Sequence, residues 1–264
     1  AIHILAGLVV FFLILEICRF AKSKPFIYNN STLLAALTSG LFLLHPVQTQ
    51  TVSYVVQARM EGLAALFMLT TLLLFIKAFQ TKSMVLRSIL VPLSLFVGYF
   101  SCGTKEISII IPILALLIDW FWLSDCQWAK FKKRLWYHAL LAVTIWGLYV
   151  YNFSHKFFVN AITLKGVTHN NRGNILTEHA HNTITAGHYL ISEFKVILHY
   201  FFMFFIPMGL SVEYDWVLSK GFLAYDTIVP FMILLTMGIT TLYVAIKHKK
   251  YSHISFCLIW FFLS

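Results

Sequence analysis

Charge is what this sequence has least of. Only 11% of its 264 residues are Asp, Glu, Lys or Arg, against 59% hydrophobic, and so little polar surface cannot cover a soluble globule. The signatures of nucleotide-driven and soluble-hydrolase chemistry are missing too: no Walker loop, GxGxxG, GxSxG or HExxH is present. The four cysteines, Cys18, Cys102, Cys126 and Cys257, form no CxxC pair and each lies in or beside an apolar stretch, which reads as packing and not as a disulfide or metal framework. There is no internal repeat, Gly/Ser linker or low-complexity tract, and a transporter built from inverted repeats usually leaves some internal symmetry.

What is present is apolar length. With mean hydropathy +0.80 and 25 Phe, the chain offers seven or eight stretches near the roughly 20 residues that a bilayer-crossing helix needs. The expectation is an all-α polytopic membrane protein in one domain, residues 1–264, with eight or nine apolar segments. The formal charge of +10 gives no nucleic-acid face, because the basic residues cluster at the ends of apolar segments, where they set topology. The chain opens in AIHILAGLVVFF and closes in LIWFFLS, so both ends are expected to be cut from a longer protein, and any signal peptide would lie upstream.

Taken in order, segment one (Ile2 to Phe20) ends in CRFAKSK on the inner side, and segment two (Leu33 to Leu44) stops outside at His45-Pro46. Segment three (Gly62 to Phe79) returns inward to KAFQTK and segment four (Val85 to Phe100) runs out to SCGTKE. Segment five (Ile107 to Leu123) carries Pro112, where a kink is expected, and ends inside among tryptophans and Lys130, Lys132, Lys133 and Arg134. Asp119-Trp120 there reads as an interfacial anchor. Segment six (Leu135 to Tyr151) leads to an external loop, residues 152–188, with one or two short helices. Segment seven (Tyr189 to Pro207) is expected to enter only partly and return SVEYDWVLSKG to the outside, with Glu193, Lys195 and His199 lined by protein or at the interface. Otherwise KHKK after segment eight (Thr227 to Ile246) would fall on the outer side. Segment nine starts outward from Ile254. On this arrangement 13 of the 20 Lys and Arg lie inside with only Glu16, Asp119 and Asp125, so most carboxylates, and any chemistry they perform, belong to the outer side.

The polar run HPVQTQTVSYVVQARME between segments two and three carries the densest chemistry. As a helix it stacks Gln50, Ser53, Gln57 and Glu61 on one face and Val52, Val55 and Val56 on the other. Arg59 falls on the apolar face, where its guanidinium must snorkel to headgroups or meet an anion such as a lipid-linked phosphate. Lys105-Glu106 follows Gly103-Thr104 at the outer start of segment five: Thr104 can cap the helix and Glu106 complement its positive end, and Lys105 beside exposed amides also suits a phosphate. His45 before proline reads as a cap, or else as a base or ligand. Glu178, His179 and His181 make only a loose cluster, so no metal site is expected. In Glu213-Tyr214-Asp215-Trp216 either carboxylate can accept a proton from a hydroxyl, or the four can form a solvated aromatic belt.

The order HPVQTQTVSYVVQARMEGLAALF, GTKEISIIIPILALLIDW, YLISEFKVILHYFFMFFIPMGLSVEYDWVLSKG and terminal WFFLS resembles the membrane domain of the GT-C-type glycosyltransferases with C-terminal tetratricopeptide repeats, the group of the transmembrane O-mannosyltransferases and bacterial relatives. The resemblance spans nearly the whole chain and implies a GT-C-like helical bundle. It also implies transfer of a sugar, mannose in the eukaryotic branch, from a polyprenyl-phosphate carrier to an acceptor hydroxyl on protein or glycan at the outer face. It points to His45, Gln48, Thr49, Arg59, Glu61, Lys105, Glu106 and Asp215; Asp215 and Glu61 are expected to be catalytic, and Arg59, Lys105, Glu106, His45 and Gln48, with Gln57 from the polar helix face, to bind substrate, with no cofactor besides the lipid-linked donor and, for want of a ligand set, no metal. Two positions depart from the pattern: Ser192-Glu193 stands where Thr-Gln is expected, and Gly103-Thr104 precedes Lys105-Glu106 where Ser is usual. The family's main acidic residue is expected in a first outer loop upstream of Ala1, and the repeats, with any protein partners they bind, after Ser264. The implied location is the bacterial inner membrane or the endoplasmic reticulum membrane, with the active face outward or lumenal. A non-catalytic membrane subunit and a lipid or sugar-carrier transporter are the other readings.

Overall fold

The computed structural model describes residues 1–48, 55–152, 186–211, 214, 216–248 and 251–263. Among them there are helices and no strands. We label the α-helices α1 (Ile2–Phe20), α2 (Pro25–Asn29), α3 (Ser31–Leu44), α4 (Val55–Gln80), α5 (Met84–Thr104), α6 (Ile111–Ile118), α7 (Trp128–Phe131), α8 (Leu135–Asn152), α9 (Ala186–Phe205), α10 (Tyr225–Lys247) and α11 (Ser252–Leu263). Five described helical stretches are long and apolar enough to cross a membrane: Ile2–Phe20, Arg59–Gln80, Met84–Thr104, Glu106–Leu123 and Tyr225–Lys247. The chain is an all-α membrane protein. The apolar helices α3 and α11 are shorter, with 14 and 12 described residues.

Three local expectations change. The polar run does not stand apart from segment three: Pro46–Gln48 forms a 3-10 turn, and from Val55 one helix of 26 residues continues to Gln80. Gln50 and Ser53 of the expected polar face lie outside the described residues. Pro112 does not interrupt a regular helix either. It sits in the first turn of α6, after a 3-10 segment at Glu106–Ile110, where its missing N–H costs nothing, and the later irregularity is a π-helical turn at Asp119–Leu123. Finally, the expected external loop at 152–188 lies mostly outside the described residues: Asn152 ends α8, 186–188 open α9, and 153–185 are not described.

The chain divides into two units, Ala1–Asn152 with Thr241–Ser264, and Phe153–Thr240. In the first, α1 packs on α3 and α4, α4 on α5, and α5 and α6 on α8. Small residues permit the close approaches. A Cβ on Gly7 would stand 2.5 Å from Leu43 Cδ2, and one on Gly98 would stand 3.2 Å from Ile145 Cδ1 and 3.3 Å from Thr71 Cγ2. Between them lies a fully buried core of Leu72, Phe75, Ile76, Ile111, Leu114, Ile118, Tyr137, Leu141 and Ile145. Phe75 and Tyr137 stack at 4.8 Å, and the Tyr137 hydroxyl is satisfied by Ser94 Oγ at 2.9 Å. Outward faces stay apolar, with Leu8, Leu41, Ile89 and Phe96 about half exposed or more, as lipid contact requires.

Side-chain bonds fix the helix ends in register. Lys77 and Gln80 reach Glu16, joining the ends of α4 and α1. His3 Nε2 lies 3.2 Å from the Leu43 carbonyl, joining the start of α1 to the end of α3. Trp146 Nε1 donates to the Ile109 carbonyl at 3.0 Å, joining α8 to the 3-10 segment before α6. The unit therefore has one end that gathers Arg19, Lys22, Lys24, Lys77, Lys82, Arg87, Lys130, Lys132, Lys133 and Arg134, and an opposite end that holds His45, Arg59, Glu61, Lys105 and Glu106.

In the second unit, the stretch after α9 folds back along it. Ser219 N donates to Ser192 Oγ at 2.9 Å, and Lys195 Nζ bonds the Val217 carbonyl at 2.5 Å and Asp226 Oδ2 at 2.9 Å. The first turn of α10 thus lies beside the first half of α9, so the chain leaves on the side from which α9 began.

Candidate functional site

At the end opposite the cations, two of the sequence blocks meet. Lys105 Nζ is ion-paired with Glu61 Oε1, each side chain about one third exposed, although 44 residues separate them. The junction beneath is buried and fully bonded. Ser101 Oγ donates to the Ala64 carbonyl at 2.9 Å and lies 2.7 Å from Ser108 Oγ, whose own hydroxyl reaches the Ser101 carbonyl at 2.9 Å. Glu61 lies one helical turn before Ala64 on α4, and Lys105 follows Ser101 by one turn at the cap of α5. The packing that ties α4 to α5 therefore also holds the ion pair.

Lys105, not Thr104, caps this junction. Its backbone is extended (φ −155°, ψ 147°), which ends α5, while the Thr104 hydroxyl turns back to the Phe100 carbonyl at 2.8 Å. The expected threonine cap is corrected accordingly. Glu106 is exposed in the first turn of the 3-10 segment. Arg59 is exposed at the start of α4 and forms no ion pair among the described residues. His45 ends α3 with extended backbone (φ −64°, ψ 128°), as a residue before proline must, and its Nδ1 accepts the Val47 amide at 3.3 Å. Gln48 closes the turn onto the His45 carbonyl at 3.0 Å.

Asp215, Glu213, Thr49, Glu178, His179 and His181 lie outside the described residues, as does the side chain of Gln57. Among the described residues, no three His, Cys, Asp or Glu side chains are grouped to hold a metal ion. Lys195 is held by protein partners, and His199 packs edge-on against Tyr214 at 5.3 Å and Trp216 at 5.1 Å.

Two carboxylates at the basic end are buried among hydrogen-bond donors. Asp119 is no interfacial anchor: it is completely buried, because Arg134, His138 and Ser124 together supply its hydrogen bonds. Arg134 Nε reaches Oδ2 at 2.8 Å and Nη2 reaches Oδ1 at 2.5 Å, with His138 Nε2 2.8 Å from Oδ2 and Ser124 Oγ 2.7 Å from Oδ1. Glu16 is 1% exposed and accepts Arg19 at 2.8 Å, Lys77 at 2.5 Å and Gln80 at 2.7 Å. Both bear the mark of ionised groups in an apolar surrounding, where a charge without partners is costly. Arg134 and His138 lie one helical turn apart, so both reach Asp119 from the same side.

No family model, no curated protein and no solved structure matches the chain.

Proposed function

We propose that the chain is a GT-C-like membrane domain of a polyprenyl-phosphate-sugar-dependent glycosyltransferase, working at the end opposite the basic one. The observation that carries this reading is the Glu61–Lys105 pair, which joins the first two motif blocks beside an exposed arginine with no ion-pair partner of its own among the described residues. The order of motifs along the sequence supports it as well. By the positive-inside rule the basic end faces the cytoplasm, so the motif end faces outward or into the lumen.

In this reading Arg59 receives the carrier phosphate, since a guanidinium presents a planar fork of donors to phosphate oxygens. Lys105 shares its charge between Glu61 and that phosphate, and Glu61 is a positioning residue that holds the ammonium in place. The acceptor hydroxyl oxygen bonds to the anomeric carbon of the sugar. The carbon–oxygen bond to phosphate breaks with its electron pair going to the phosphate oxygen, and the hydroxyl proton passes to a carboxylate, for which Asp215 is the candidate within this chain. Polyprenyl phosphate leaves, and mannose is the sugar to test first.

The experiment is sugar transfer by the full-length protein in proteoliposomes, supplied with polyprenyl-phosphate mannose and a protein acceptor. Wild type transfers; Arg59→Ala, purified with the same yield and elution profile, falls by at least about 100-fold, the usual scale for loss of a charge that stabilises the leaving group. Equal rates would remove Arg59 from the mechanism.

A further inference from the structure

We propose that the basic end of the first unit holds a second anion site, a cavity of about 500 Å³ that binds a phosphate-bearing ligand between the ends of α1 and α4 and the turn before α7. Its volume lies within the range of about 300–1,000 Å³ typical of small-molecule sites. Three cations line it: Arg19 from the last turn of α1, Lys22 from the turn that follows, and Lys130 from α7. A single carboxylate, Asp125, shares the wall, and it accepts the Ser23 hydroxyl at 3.3 Å.

The cations are not consumed by the protein. Arg19 gives one nitrogen to Glu16, but its side chain is 51% exposed and a guanidinium has five N–H donors. Lys22 and Lys130 are exposed and form no ion pair among the described residues. Glu16, the carboxylate behind Arg19, is already shared with Lys77 and Gln80. Three positive groups converging on one concavity repel each other unless an anion sits among them, and walls of low dielectric strengthen that field.

Phosphate suits the chemistry better than a lone carboxylate. It carries more charge and offers oxygens in several directions to donors arriving from three segments. The floor adds an apolar surface: Trp122 lines the cavity, with Lys24 Nζ 5.0 Å from its ring centroid. A bare phosphate does not fill this volume, whereas the headgroup and glycerol of an anionic lipid do. The cavity also lies where α1 and the π-helical turn end, and basic residues at the ends of apolar helices attract anionic headgroups. Lys132 and Lys133, a few residues on, are equally basic but do not line the cavity, so they provide the control.

The test is native mass spectrometry of the full-length protein in a neutral detergent, titrated with phosphatidylglycerol, with net-neutral phosphatidylcholine and with inorganic phosphate. Wild type retains phosphatidylglycerol and not phosphatidylcholine. Lys22→Gln/Lys130→Gln weakens retention by at least about tenfold, as expected for losing two lysine contacts near a membrane surface, while Lys132→Gln/Lys133→Gln keeps it. All four lysines are exposed, so both variants fold. If inorganic phosphate alone is retained with the same dependence on Lys22 and Lys130, the site stands and its ligand comes from solution. Equal weakening in the two double variants, or retention of neither anion, overturns the proposal. Neither result touches the transferase reading, which concerns the opposite end.

Discussion

Lys77 and Glu16, 61 residues apart in the chain, meet at 2.5 Å between α4 and α1. The bond sets the two helices parallel and level at their basic ends. It also decides what is buried: Glu16 is enclosed, while Lys77 keeps 42% of its side chain exposed. A carboxylate in that position depends on its partners more than they depend on it.

Removing the lysine alone should therefore be worse than removing both charges. Lys77→Met is expected to cost about 1–3 kcal/mol, because it leaves a buried anion with fewer hydrogen bonds. Glu16→Gln/Lys77→Met should recover part of that loss. Apparent Tm values of the two single variants and the double in one detergent measure the coupling, and additive losses would contradict it.

Asp119 should be the more sensitive carboxylate, since Arg134 is only 16% exposed and His138 is 4% exposed. Asp119→Ala leaves the guanidinium uncompensated and is expected to cost about 3–5 kcal/mol. Arg134→Lys should not be silent, because an ammonium cannot make the two-nitrogen contact that the guanidinium makes. Thermal denaturation of the purified variants checks both; a stable Asp119→Ala protein would mean the cluster is not needed for packing.

Gly7 should resist even one added methyl group. An alanine Cβ there would meet three Leu43 carbons at 2.5 to 2.8 Å, so Gly7→Ala is expected to cost about 1–3 kcal/mol by overpacking. Adding Leu43→Ala should relieve it. If the double variant is no more stable than Gly7→Ala, the contact between α1 and α3 is not the cause.

Lys105 should separate activity from stability. Its pair with Glu61 is partly solvated, so Lys105→Ala is expected to change stability by no more than about 1 kcal/mol. Sugar transfer should fall at least about tenfold if the ammonium also serves the departing phosphate. Unchanged transfer would leave the pair a structural clasp.

Much of the fold could be read along the chain. Apolar length marked the five described stretches long enough to cross a membrane, and the charges at segment ends divided the first unit into a basic end and a motif end. Local rules reached His45 too, because a residue before proline takes extended backbone whatever surrounds it. Partners were harder. Nothing local in Lys105 reveals that Glu61 will neutralise it, and nothing in Asp119-Trp120 shows that Arg134 and His138, one helix later, will allow the acid to be enclosed. Those outcomes depend on how α4, α5, α6 and α8 pack, which periodicity within any one helix does not encode. Pro112 illustrates a related limit: the residue predicts a break, but only its place in the first turn of α6 shows that the break falls between helix types.

Binding of unglycosylated polyprenyl phosphate to the full-length protein is the most direct measure of the working end, since it needs neither the sugar nor the acceptor to be known. The account predicts that Arg59→Ala weakens this binding by at least about tenfold, the scale of one lost charged contact, while Lys132→Gln/Lys133→Gln, exposed lysines that line neither proposed site, leaves it unchanged. Equal affinity in wild type and Arg59→Ala would contradict it.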